Sequence, residues 1–96
     1  MFDKMKALWD MKKKMEELKR ELDATTFEIE SPDKAVKIMM NGSQEIKDIK
    51  IQGEVADTNA FALKLKDTCN RAIKRSHDIA ADKMKAVTGL NIPGLM

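Results

Sequence analysis

Lys6, Lys13 and Arg20 recur every seven residues, and Lys64, Arg71, Lys74 and Arg75 crowd a second stretch, "LKLKDTCNRAIKRS". On a helix, heptad spacing sets the first three about 10 Å apart along one flank. Rows of fixed positive charge suit a polyanion, whose capture needs many modest contacts that release counterions and no pocket. The same pattern has a plainer use. Asp67 stands four residues before Arg71, Lys74 four before Asp78, and Asp3, Asp10 and Glu17 each three before Lys6, Lys13 and Arg20. At these spacings opposite charges meet on a solvated helix face, for a few tenths of a kcal/mol each. After every such pair is counted, a surplus of positive charge remains along Lys64, Arg71 and Arg75.

Other chemistry finds little support. Cys69 and His77 are the only residues of their types, eight apart in one helical stretch. A metal site needs further ligands, so no metal or cofactor is expected. Cys69 falls on an apolar stripe and reads as packing. The four glycines, Gly42, Gly53, Gly89 and Gly94, stand at turns or ends and form no phosphate-cradling loop. The carboxylates are scattered without an acid–base partner, so neither an enzyme nor a small-molecule substrate is expected. No helix-turn-helix or zinc-finger spacing favours base-specific reading, and one Trp with three Phe offers little for stacking single-stranded bases.

The elements that must position these cations follow from patterning. With 96 residues the chain suits one domain, and a core this small favours oligomerisation. No apolar run can cross a bilayer, and "MFDKMKALWDMKKK" lacks the apolar core of a secretory signal. A single cysteine fits a reducing cytoplasm. Residues 1–23 hold seven basic and six acidic side chains, 24–57 four and seven, and 58–96 seven and three, which sum to the net +2. A first helix is expected over 1–23, where Met1, Leu8, Met15 and Leu22 alternate with Met11 and Leu18 as an a/d heptad seam. A three-stranded antiparallel β-meander is expected over 25–52. In it Phe27 and Ile29 share a face, as do Val36, Ile38 and Met40, and "SPDK" makes a turn. Asn41-Gly42 is the strongest hairpin signal, because both residues tolerate positive φ. Ile46 falls out of phase with Ile49 and Ile51, which a bulge near Lys47 explains.

A second helix is expected over 57–88, capped by Asp57 or Thr58, with a stripe of Leu65, Cys69, Ala72, Ser76, Ala80, Met84 and Val87 widened by Ile73 and Ile79. Gly89 stops it, Pro93-Gly94 prevents continuation, and 89–96 form a tail. The seams are longer than so small a sheet can cover, so a twofold homodimer is expected.

At this point the ordered set of motifs resembles the bacterial nucleoid-associated family called YbaB/EbfC. The similarity runs through "MKKKMEELKREL", "AVKIMMNGSQEIKDIKI", "NRAIKR" and the ending "KMKAVTGLNIPGLM". The resemblance implies an α+β fold, a tweezer-like homodimer with a shared sheet and projecting helical arms, and duplex DNA bound with little sequence demand in the bacterial cytoplasm at the nucleoid. The family's Gly-rich first turn is replaced here by "SPDK", and its acidic residue with proline after the third strand by Gln52-Gly53. With it, the expected DNA-binding set is Lys6, Lys13, Arg20, Lys64, Arg71, Lys74 and Arg75. A second reading comes from the plan helix, hairpin, helix, shared with prefoldin-like chaperone subunits. Salt separates the two: phosphate contacts weaken steeply with it, apolar client holding does not.

Overall fold

The computed structural model describes the backbone of residues 2–88 and the side chains of 4–86. The expected stop at Gly89, the Pro93-Gly94 break and the tail 89–96 lie outside the described residues, as do the side chains of Met1, Asp3 and Val87. The order is α1 (Phe2–Ala24), β1 (Thr26–Glu30), β2 (Val36–Asn41), β3 (Ile46–Ile51) and α2 (Thr58–Thr88). The strands form one antiparallel sheet in the order β1-β2-β3, so helix, meander, helix is the fold. The shape is elongated, 66 × 24 × 16 Å. Its radius of gyration, 17.9 Å, exceeds the ~13 Å of a globular chain of this length.

Strand alternation builds the core. Val36, Ile38 and Met40 point to the same face of the central strand and are fully covered. Ala72 of α2 closes over them, and Phe27, Ile29, Phe61, Leu65 and Cys69 pack around the cluster. The bulge sits where the alternation slips. Met40 opposes Ile46 while Met39 opposes Asp48, which leaves Lys47 as the extra residue. Asp57 caps α2, its Oδ1 accepting from the N–H groups of Asn59 (3.0 Å) and Ala60 (3.2 Å).

The hairpin differs in geometry from a two-residue Asn-Gly turn. Its loop is Gly42–Ser43–Gln44, closed where the Asn41 N–H donates to the Glu45 carbonyl (3.0 Å), and Gln44 takes the left-handed backbone at φ 63°. Gly42 is there for closeness. A Cβ at this position would stand 2.9 Å from Leu22 Cδ2 and 3.2 Å from the Leu22 carbonyl oxygen.

Asn41 ties this loop to both helices. Its Nδ2 donates to the Asp23 carbonyl (3.2 Å) and Glu45 Oε1 (2.9 Å), and its Oδ1 accepts from the N–H groups of Ser43 (3.0 Å) and Glu45 (2.9 Å). From α2, the buried Ser76 Oγ donates to the Asn41 carbonyl (2.9 Å) and accepts from the Gln44 N–H (3.0 Å). Asn41→Ala removes the four side-chain bonds to Asp23, Ser43 and Glu45, all part-buried, so it should cost about 2 kcal/mol and lower the melting temperature by roughly 10 °C. Thermal denaturation followed by circular dichroism checks this, and an unshifted melting curve would show the junction to be dispensable.

Two apolar surfaces remain open. Cross-strand partners share a face, so Ile46, Ile49 and Ile51 belong with Met40, Ile38 and Val36, yet they are 48%, 41% and 51% exposed. On α1 the expected seam, among the described residues, is buried only at Leu18 and half-buried at Leu22, while Leu8, Met11 and Met15 face solvent. The half of α1 before the sheet thus stands clear of the body.

Candidate nucleic-acid interface

The cations of α2 border a trough beside the edge strand β1. Ile29, Arg71, Lys74, Arg75 and Asp78 line a groove of about 360 Å³. A neighbouring hollow of about 590 Å³, lined by Pro32, Lys64, Asp67, Thr68, Asn70 and Arg71, shares Arg71 with it. Helical spacing aligns Lys64, Arg71 and Arg75, and packing of α2 against β2 and β1 fixes that row along the sheet.

Each cation of the row has its own circumstances. Arg71 makes no ion pair with Asp67; its Nη2 donates to the Glu30 carbonyl at the end of β1 (2.8 Å). A fixed acceptor on a neighbouring element outcompetes a solvated pair worth a few tenths of a kcal/mol. The guanidinium keeps further donors for a phosphate. Lys74 meets Asp78 as its spacing suggested, at 3.7 Å, but its side chain is 81% exposed and the pair is a weak competitor for an anion. Arg75 has no acidic partner among the described residues. Lys64 is the most committed: its ammonium bonds Asp33 in the turn before β2. That contact, then the Ser31 hydroxyl and the Ala35 N–H, holds the Asp33 carboxyl well below the usual carboxylate range. Asp33 therefore stays an anion at neutral pH, and bonded to it Lys64 has less charge to offer than its position in the sequence suggested.

The α1 set is freer. Lys6, Lys13 and Arg20 are exposed, and none makes an ion pair among the described residues. The three-residue pairs Asp10–Lys13 and Glu17–Arg20 do not form, and the Asp3 side chain lies outside the described residues. Lys19 takes Asp23 instead, at 3.2 Å. Lys12 and Lys13 lie over the Trp9 ring, 5.9 and 5.8 Å from its centroid. Lys12 and Lys14 extend the positive surface beyond the seven residues expected. The uninterrupted run Lys12–Lys13–Lys14 was their signal in the sequence. The two basic sets stay on separate helices, which are tied near the sheet by Lys83 and Glu21 (3.6 Å).

Thiol and metal chemistry find no site among the described residues. Cys69 is free and packs against the core. Among the described residues no three His, Cys, Asp or Glu side chains are grouped to hold a metal ion. No described helix is long and apolar enough to cross a membrane.

Known proteins resemble this chain in sequence and in fold. The model of the YbaB/EbfC DNA-binding family matches residues 1–91. A nucleoid-associated protein of Clostridium kluyveri is 36% identical over 96 residues, covering 95% of this chain and 83% of the relative. One from Clostridium acetobutylicum is 36% identical over 88 residues, 86% of this chain and 78% of the relative. The crystal structure of an uncharacterized protein from Helicobacter pylori superposes with a TM-score of 0.71 at 25% identity, covering 88% of this chain and 99% of that one.

Proposed function

The chain belongs to the YbaB/EbfC DNA-binding family, and from that membership we propose that it is a nucleoid-associated protein whose homodimer grips duplex DNA through its phosphates. The observation that carries the reading is the trough beside β1, where Arg71 and Arg75 keep donors free along one helix. The Lys6, Lys13 and Arg20 row on the projecting α1 supplies a second line of contacts. Neither row offers the donor–acceptor pattern that reads bases, so binding is largely independent of sequence. The chain acts as one domain and by binding, without catalysis.

Two copies make the arrangement effective. Among the described residues the outer edge of β3 is unpaired, and its isoleucines continue an apolar face that α2 covers over β2 and β1 and leaves open over β3. A second copy covering that face and the open α1 seam doubles the basic rows from two to four.

Titrating a labelled duplex with the chain from 50 to 200 mM salt tests the reading. Six or more phosphate contacts imply a loss of affinity on the order of a thousandfold over that range. Binding that ignores salt would contradict it.

A further inference from the structure

Trp9 is 58% exposed on the free half of α1, yet it does not belong to the apolar seam. Residues turn by about 100° each around a helix. On that wheel Trp9 lies about 140° from the middle of the Leu8–Met11–Met15–Leu18–Leu22 seam. It lies only about 40° from the middle of the Lys6–Lys13–Arg20 row. The only tryptophan of the chain therefore sits among the cations. Its ring carries two ammonium groups, Lys12 at 5.9 Å and Lys13 at 5.8 Å, and neither lysine has an acidic partner among the described residues. Residues 4–15 hold five lysines and one aspartate, Asp10. The nearest acid on the Trp9 flank, Glu16, is a full heptad nearer the sheet, about 10 Å away.

We infer that Trp9 is the base-contacting element of the α1 arm, an indole that wedges at deformable base steps of duplex DNA. The inference rests on the DNA-binding reading above and deepens it. In the free protein the two ammonium groups lie over the ring as cation–π partners, a contact worth little at an exposed site. Phosphates draw them away by stronger, counterion-releasing attraction. The bared ring is then a large flat apolar group carried between two phosphate-bound lysines. Architectural proteins insert apolar wedges of this kind where a flexible pyrimidine–purine step unstacks readily. An interfacial membrane helix would group its tryptophan with Leu8, Met11 and Met15 and set the lysines opposite. Here the tryptophan is on the lysine side.

Because Trp9 is the only tryptophan, its fluorescence reports this one site. The full chain is titrated with end-labelled duplexes of about 20 base pairs, one rich in TpA steps and one an A-tract. Indole emission and label anisotropy are read together. Emission is expected to fall in step with anisotropy, and the TpA duplex to bind more tightly. W9A should weaken binding about tenfold, with the salt slope and the helical circular dichroism unchanged, while W9F keeps most of the affinity. Emission unaltered at anisotropy saturation would overturn the inference, as would a W9A protein that binds as tightly as its parent. So would emission that responds to phosphatidylglycerol vesicles and ignores the duplex. No anisotropy change with the parent protein would sink the DNA-binding reading itself, an outcome distinct from tight binding by W9A.

Discussion

Replacing Arg71, Lys74 and Arg75 together with alanine is expected to weaken duplex binding on the order of a hundredfold at low salt. Three contacts per chain give six in a dimer. At about 0.5 kcal/mol for each exposed charge contact, they sum to about 3 kcal/mol, which is that factor. The salt dependence should flatten in parallel, by about one unit of slope for each phosphate contact removed. Stability should change little. Arg71→Ala loses an exposed bond to the Glu30 carbonyl, worth about 1 kcal/mol, and Lys74 and Arg75 hold no part of the core. Anisotropy titrations of parent and variant at several salt concentrations measure both quantities. Unchanged affinity and slope would place the interface on the Lys6, Lys13 and Arg20 row of α1 instead.

Ile49→Lys is expected to dissociate the proposed homodimer. Ile49 opposes Ile38 at the centre of β3, 41% exposed on the apolar face that lacks a cover. In an isolated chain a lysine there reaches solvent and the β2 core beneath it is untouched. Inside an interface it is an unpaired charge, at a cost of several kcal/mol, enough to weaken association by on the order of a thousandfold or more. Losing one of two arms then weakens duplex binding as well, because the second set of contacts is no longer delivered at high effective concentration. Sedimentation velocity should show a single species of 10.9 kDa for the variant, while Ile49→Val stays associated. A variant that remains dimeric would move the interface to the seam of α1.

How far the fold could be read from the residues depends on whether each cause is local. The alternation of Val36, Ile38 and Met40 marks β2 directly, and the phase slip at Ile46 marks the bulge at Lys47, because a strand has only two faces. Asp57 announces the start of α2 for an equally local reason. The hairpin geometry was not legible. Gly42 is required by Leu22, twenty positions earlier, and positive φ passed to Gln44. The site was less legible than the fold. Helical spacing finds Lys74 with Asp78, but Arg71 is claimed by a carbonyl 41 residues away and Lys64 by a turn in another element. The α1 seam shows in the heptads. That only Leu18 and Leu22 of it, among the described residues, meet the body depends on where the sheet and α2 pack, which no pattern in α1 records.

The most direct test is sedimentation equilibrium of the unmodified chain, alone and with a short labelled duplex. The expected result is a folded species of twice 10.9 kDa that adds to the duplex as a unit, two chains for each bound duplex. A well-folded species of 10.9 kDa that carries no DNA, or that binds it one chain at a time, would contradict the paired, phosphate-gripping arrangement.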